Sequence, residues 1–135
     1  MRVLLDNDVN LDFVLARQPF FTEAEQIFEA IARSEVEAFI ASITAINIYY
    51  IGRKEKGRTA TLRELEKLLQ VVKVCPIDSV ILQKALTSPI TDYEDAVQHE
   101  CAVAENLDSI IPRNIKNYKN SILKVYSPSE FLKTV

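Results

Sequence analysis

The chain has 135 residues, of which 48% are hydrophobic, with only two glycines and five prolines, so it predicts one helix-rich domain over residues 1–135 and excludes long flexible linkers. It shows neither a long apolar run nor a tripartite export signal, which predicts a cytoplasmic protein and excludes a membrane-spanning one. The net charge of −3 excludes a protein that holds nucleic acid through phosphate neutralisation alone.

The first predicted element is a buried strand that ends in acidic residues. The apolar run Val3-Leu4-Leu5 leads directly into Asp6, Asn7 and Asp8. Ligands of open α/β sheets bind outside the carboxyl ends of the strands, which makes Asp6 a candidate for the chemistry. Capping of the following helix explains an acid at this position equally well.

Helical and strand patterns then alternate. Helical spacing of apolar residues predicts helices over residues 8–16 and 22–34, and Val36 to Ala41 has the composition of a strand. Two further helices precede a strand over residues 71–75. Strands separated by helices predict a parallel sheet.

The third predicted helix carries a polar residue on its apolar face and leads into a basic cluster. Ser42 or Thr44 is the expected cap of this helix, and Asn47 is its polar residue. The basic cluster comprises Arg53, Lys54, Lys56, Arg58, Arg63 and Lys67. It is a candidate surface for steering a polyanion, and a solvated helix face with i,i+3 and i,i+4 ion pairs is the alternative.

A second group of acids begins a later helix. Thr91 is the expected N-cap, with Glu94 three residues later as its capping-box partner. Asp92 and Asp95 are three residues apart, which places both carboxylates on one face of the first turn. Compensation of the helix dipole is an alternative explanation for acids at this position.

The last predicted strands and loop complete the sheet. Ser109 to Ile111 is a short strand followed by Pro112, Arg113 and Asn114, and residues 123–125 form a final strand before a capped terminal helix. A smaller basic group begins in this loop and comprises Arg113, Lys116, Lys119 and Lys124; it too is a candidate surface for steering a polyanion.

Three separate segments thus place acids or amides at strand ends or helix starts. They contain Asp6 with Asp8, Asp92 with Asp95, and Asn114. Such points can converge in a parallel sheet, and clustered like charges require a cation for neutralisation. Oxygen ligands alone suit Mg²⁺ or Mn²⁺, and such a site suits metal-assisted hydrolysis of a phosphodiester.

The same segments resemble the conserved motifs of the PIN domain. Residues 4–12 are similar to its opening strand and Asp-rich turn, and residues 91–98 to its Asp-x-x-Asp helix start. Residues 110–118 resemble its Thr-Arg-Asn/Asp loop, and residues 126–132 its terminal segment. The motifs occur in the family's order over the whole chain.

This resemblance implies a fold, an activity and partners. The implied fold is α/β, a three-layer α/β/α sandwich with a mainly parallel central sheet. The implied activity is that of a Mg²⁺- or Mn²⁺-dependent endoribonuclease, most similar to the VapC-like toxins of bacterial toxin–antitoxin pairs. RNA is the implied substrate, and the implied protein partners are a cognate antitoxin and a second copy in a homodimer.

The resemblance also implies roles for individual acids. Asp6 and Asp95 are the expected principal metal ligands, and Asp92 assists through water. Asp8 is a fourth acid of the metal site.

Three amides stand where the family usually has acids. Asn47 occupies the position of the family's helix Glu, and Asn114, together with Asn117, lies where many members have Asp. Asn47 and Asn114 are expected to orient water or phosphate. The leading hypothesis assigns the basic cluster of the third and fourth helices to the RNA backbone.

Two other hypotheses follow from the same residues. Because the amides bring no charge, the chain can instead be a PIN-like module with a depleted site that binds RNA or protein. Asp6-Asn7-Asp8-Val9 also fits the DxDx motif of haloacid-dehalogenase-type phosphatases. That family needs a Gly- and Asp-rich loop late in the chain, which two glycines, Gly52 and Gly57, cannot supply.

Overall fold

A five-stranded parallel sheet forms the centre of the protein in a computed structural model that describes residues 1–135. The spatial order of its strands is β3-β2-β1-β4-β5, so the first strand is central. The strands are β1 (Arg2–Leu5), β2 (Glu37–Ala41), β3 (Lys73–Cys75), β4 (Ser109–Ile111) and β5 (Lys124–Val125). All four neighbouring pairs are parallel, as the alternation of strands and helices predicts.

Helices cover both faces of this sheet. They are α1 (Asn7–Val14), α2 (Phe21–Ala32), α3 (Ser42–Lys56), α4 (Arg58–Val71), α5 (Ser79–Leu86), α6 (Tyr93–Ala104) and α7 (Pro128–Leu132), with a 3₁₀ helix at Ile115–Tyr118. None of these helices has the length and apolar character needed to cross a membrane.

The central strand divides the core into two layers because its successive side chains point to opposite faces. Val3 and Leu5 are fully buried in a cluster that includes residues of α1, α2, α3, α4 and α7. Leu4 is fully buried in the other cluster, with residues of α5 and α6. The molecule is therefore a three-layer α/β/α sandwich, as the resemblance to the PIN domain implies.

The strand order changes direction at β1: β2 and β3 lie on one side of it, and β4 and β5 lie on the other. β2 pairs with one edge of β1, and β4 pairs with the other, with Leu5 opposite Ile111. The N–H of Asp6 extends this pairing by donating to the carbonyl oxygen of Ile111 at 3.1 Å. A crevice between the carboxyl ends of β1 and β4 is the expected position of a ligand site in such a sheet.

Two predicted helix caps are wrong. No side chain caps α3, because the helix starts directly from β2 and its cap position falls on Ala41, which has extended backbone angles; this excludes Ser42 and Thr44. The N-cap of α6 is Asp92, whose side chain accepts from the N–H of Asp95, and this excludes Thr91.

Candidate functional site

Asp6 lies at the end of the central strand and is only 4% exposed. Its Oδ1 accepts from the N–H of Asp8 at 2.8 Å and so caps α1. Its Oδ2 accepts from the Tyr118 hydroxyl at 2.5 Å and from the Gln98 side-chain amide at 3.3 Å. One carboxylate oxygen thus has the structural role that the sequence allows, while the other lies among residues from α6 and the 3₁₀ helix.

Asp95 lies close to this second oxygen. It is partly buried in the first turn of α6, and its Oδ1 is 3.5 Å from the Tyr118 hydroxyl. A single phenol therefore bridges Asp6 and Asp95. Asp92, exposed at the rim, accepts from the N–H of Asp95 at 3.0 Å and so sets the start of the helix.

A third carboxylate enters the site from the same helix. Glu94 Oε1 accepts from the Asn7 side-chain amide at 3.2 Å, and its Oε2 accepts from the Asn47 side-chain amide at 3.3 Å. Glu94 does not act as the capping-box partner of Thr91 that the sequence predicts. Its contact with α3 is not apparent from the sequence. The Asn47 position, which lacks a carboxylate of its own, therefore lies against one supplied by α6.

The side chains of the other two predicted site residues make no hydrogen bond to Asp6 or Asp95. Asn114 is exposed and caps the 3₁₀ helix, with its Oδ1 accepting from the N–H of Lys116 at 3.0 Å. Asp8 is half-buried in the first turn of α1, and its backbone rather than its carboxylate contacts Asp6.

The donor set fits an oxygen-ligated divalent cation. The Asn7 side-chain oxygen is buried beside these acids without a hydrogen-bond partner. Carboxylates such as those of Asp6 and Asp95, together with a neutral amide oxygen such as that of Asn7, suit Mg²⁺ or Mn²⁺ with waters completing the shell. No three His, Cys, Asp or Glu side chains converge closely enough to enclose an ion in the structure as it stands.

Burial sets the charge state of the two linked acids. Burial raises the pKa of Asp6 to about 6, although its hydrogen bond from Tyr118 acts in the opposite direction. Burial, followed by the charge of Asp6, raises the pKa of Asp95 to about 7. Burial and the two carboxylates raise the pKa of Tyr118 well above its usual value, so this hydroxyl remains a donor. A cation would relieve this unfavourable proximity of negative charges.

The metal-free protein should therefore lose stability as Asp6 ionises. Its carboxyl pKa is about 4 in an unfolded chain and about 6 when folded, so its contribution is complete below about pH 4 and is lost as the pH rises through about 6. The titratable groups whose charge or hydrogen bond acts on it are Asp8, Asp95, Arg113 and Tyr118. From pH 5 to pH 8, in EDTA, the Asp6→Asn variant should gain about 1.4 kcal/mol of unfolding free energy relative to wild type in urea titrations, because one pKa unit corresponds to about 1.4 kcal/mol and Asp6 is already partly ionised at pH 5. An equal pH dependence in both proteins would contradict this expectation.

The loop after β4 is anchored by an ion pair that the sequence did not reveal. Arg113, predicted as part of a basic group, donates from Nε to Asp12 Oδ2 at 3.0 Å and from a terminal nitrogen to Oδ1. Asp12 is 2% exposed, and the guanidinium also covers the ring of Phe20 at 4.2 Å. The pair ties α1 to the loop that leads into Tyr118.

The larger basic cluster lies at the end of α3 and on α4, in the helical layer opposite α6. Several of its cations are already engaged within the chain. Arg53 lies over the rings of Tyr49 and Tyr50, and Lys56 donates to the carbonyl oxygen of Val14 at 2.9 Å. Neither cation contacts an acid of the candidate site.

Comparison with known proteins gives a family and a set of related folds. A family model for the PIN domain matches residues 2–116. VapBC2 from Rickettsia felis, solved bound to a DNA fragment from their promoter, is 15% identical with a TM-score of 0.69, covering 94% of this chain and 98% of that chain. A toxin–antitoxin complex from Klebsiella pneumoniae is 23% identical with a TM-score of 0.69, and the match covers 93% of this chain and 97% of that chain. VapC20 from Mycobacterium tuberculosis, a sarcin–ricin loop cleaving toxin, is 10% identical with a TM-score of 0.72, covering 91% and 98%. No curated protein matches the sequence.

These findings differ in what they establish. The solved structures share less than 25% of their residues with this chain, so they show a common fold. The family model, in contrast, spans β1 to the start of the 3₁₀ helix and includes the segments that carry Asp6 and Asp95. The chain belongs to the PIN domain family.

Proposed function

We propose that this protein is a Mg²⁺- or Mn²⁺-dependent endoribonuclease and the toxin of a toxin–antitoxin pair. The observation that carries the proposal is the meeting of Asp6 and Asp95 at the carboxyl end of the central strand, where Tyr118 bridges them. A buried and a partly buried acid with raised pKa values at such a position are typical of a functional site. Membership of the PIN domain family and the fold shared with VapC20 support the ribonuclease assignment.

Each residue of the site has a separate task in this proposal. Asp6 and Asp95 hold the divalent cation, with Asp8 and Asp92 adding negative charge around it. When bound, the ion supplies activation of water and stabilisation of the leaving oxygen. Asp92 also orients the first turn of α6 through its cap on Asp95.

A second set of residues positions these acids. Tyr118 and Gln98 hold one oxygen of Asp6 by hydrogen bonds, which fixes the orientation of its carboxylate. Asn47 and Asn7 hold Glu94, so that α6 supplies the carboxylate that α3 lacks. Asn114 caps the 3₁₀ helix that carries Tyr118. It therefore helps to position Tyr118 and does not contact the RNA phosphate directly.

The proposed partners follow from relatives with the same fold. VapBC2 and the Klebsiella pneumoniae protein were solved as toxin–antitoxin complexes, which supports a cognate antitoxin for this chain. We propose in addition that the protein is a homodimer and is located in the cytoplasm. Size-exclusion chromatography with light scattering measures its oligomeric state.

Cleavage of RNA tests the proposal directly. Purified protein incubated with a mixed RNA pool should produce fragments in Mn²⁺ or Mg²⁺ and none in excess EDTA, because the clustered acids require a cation. Gel electrophoresis of end-labelled RNA measures the fragments. Cleavage that persists in EDTA would contradict a metal-dependent site.

A second candidate function is a PIN domain that binds RNA or protein without cutting. The neutral side chains of Asn47 and Asn114 favour it, because they leave fewer acids to hold a cation. Calorimetric titration with Mn²⁺ separates the two functions. Binding that is lost on Asp95→Asn substitution supports the ribonuclease, whereas absence of binding together with absence of cleavage supports the binding module.

A further inference from the structure

A polar groove borders the acids of α6. It has a volume of about 410 Å³ and lies between the start of α6 and the segment around the 3₁₀ helix. Asp92 and Asp95 form one side, and Lys116, Asn117 and Lys119 are on the other. None of its lining residues is hydrophobic, which distinguishes the polar groove from a cleft that holds an apolar ligand.

The two lysines are the unengaged cations of this groove. Both side chains are exposed, and neither ammonium group forms an ion pair or a hydrogen bond within the chain. In the larger basic cluster, Lys56 is bonded to a backbone carbonyl and Lys67 pairs with Glu64 at 3.8 Å. The remaining cations of that cluster without an ion pair or an aromatic contact, Lys54, Arg58 and Arg63, lie in the helical layer opposite α6. Free positive charge next to the proposed catalytic acids therefore comes from Lys116 and Lys119.

The remaining lining defines what chemistry the groove accepts. No aromatic residue is present, so bases have no surface on which to stack. The side chains of Thr91, Asn117 and Asn120 offer hydrogen-bond donors and acceptors of the kind that pair with ribose hydroxyls and phosphate oxygens. The complementary ligand is a sugar–phosphate backbone.

We propose that the polar groove binds the ribose–phosphate backbone of the RNA strand beside the scissile bond, with Lys116 and Lys119 each contacting one phosphate. This inference rests on the proposed ribonuclease function and replaces the basic cluster of α3 and α4 as the strand-binding surface. Because the contacts are to the backbone, the groove contributes affinity that is independent of base sequence.

The salt dependence of RNA binding tests this assignment. Anisotropy of a labelled single-stranded RNA, measured in EDTA so that the strand stays intact, compares wild type with Lys116→Gln/Lys119→Gln and Arg58→Gln/Arg63→Gln. Both variants change the net charge from −3 to −5, and all four substituted side chains are exposed. Loss of two phosphate contacts should reduce the slope of log K against log salt by about 1.4, since each contact on a single strand contributes about 0.7.

The matched variant separates local contact from overall charge. Only the lysine variant should show this reduction in slope, and its affinity for the RNA should fall about tenfold at low salt. Equal slopes in the two variants, or no RNA binding by wild type, would overturn the inference. Unchanged thermal midpoints and circular dichroism confirm that both variants are folded.

RNA cleavage in Mn²⁺ is measured in a separate assay. The ribonuclease proposal and the groove proposal can therefore be contradicted independently of each other. A wild-type protein that does not cleave, with a slope reduced only in the lysine variant, contradicts the ribonuclease and supports the groove. A protein that cleaves normally, with equal slopes in both variants, supports the ribonuclease and rejects the groove.

Discussion

Replacing Asp95 with asparagine should lower the rate of RNA cleavage in Mn²⁺ by about a hundredfold or more. The substitution keeps the shape of the side chain but removes the charge that, with Asp6, is proposed to hold the cation. Loss of one electrostatic contact at a reacting centre typically costs 10²–10³ in rate. Asp6→Asn should have an effect of similar size, and single-turnover cleavage of a labelled RNA measures both.

Asp92 provides a matched control for this result. It lies three residues from Asp95 on the same helix but is exposed at the rim, and its main contact is the cap on the Asp95 N–H. Asparagine is an equally good N-cap, so Asp92→Asn should retain activity within about tenfold of wild type. Equal losses in the Asp92 and Asp95 variants would mean that the cation is not centred between Asp6 and Asp95.

Replacing Arg113 with alanine should lower the unfolding free energy by about 3 kcal/mol, because it leaves the buried Asp12 carboxylate without its partner. The partial exposure of the guanidinium places this estimate at the low end for a buried pair. The cation–π contact with Phe20 is lost as well. Urea denaturation at pH 7.5 measures the change.

A second arginine in an ion pair provides the comparison. Arg33 pairs with Glu35 at the surface, where both side chains are exposed, and Arg33→Ala should leave the unfolding free energy nearly unchanged because water screens such a pair. Adding Asp12→Asn to Arg113→Ala should restore part of the lost stability, since a neutral amide is easier to bury than a charge. A loss no greater than that of Arg33→Ala would show that Asp12 does not depend on this pair.

Local pattern was sufficient for much of the fold. The apolar run before Asp6 predicts β1, and the spacing of apolar residues predicts α6 with Asp95 in its first turn. Helix caps were predicted less well: the N-cap of α6 lies one residue after Thr91, and no side chain caps α3. A cap depends on how the chain enters the helix, and the direct passage from β2 into α3 was not visible in the pattern.

The sequence by itself determined the parallel α/β architecture and identified Asp6 and Asp95 as candidate site residues, because periodicity and position at a strand end or helix start are local properties. Only the tertiary structure decided which side chains surround these two acids. Tyr118 meets Asp6 across 112 residues, and Asn47 meets Glu94 across 47. Arg113 pairs with Asp12, 101 residues away in the sequence. Its charge is therefore engaged in an ion pair, although the sequence pattern placed it with a basic surface group. Such pairings depend on how helices from both layers pack at the end of β1, and no pattern within one segment encodes that packing.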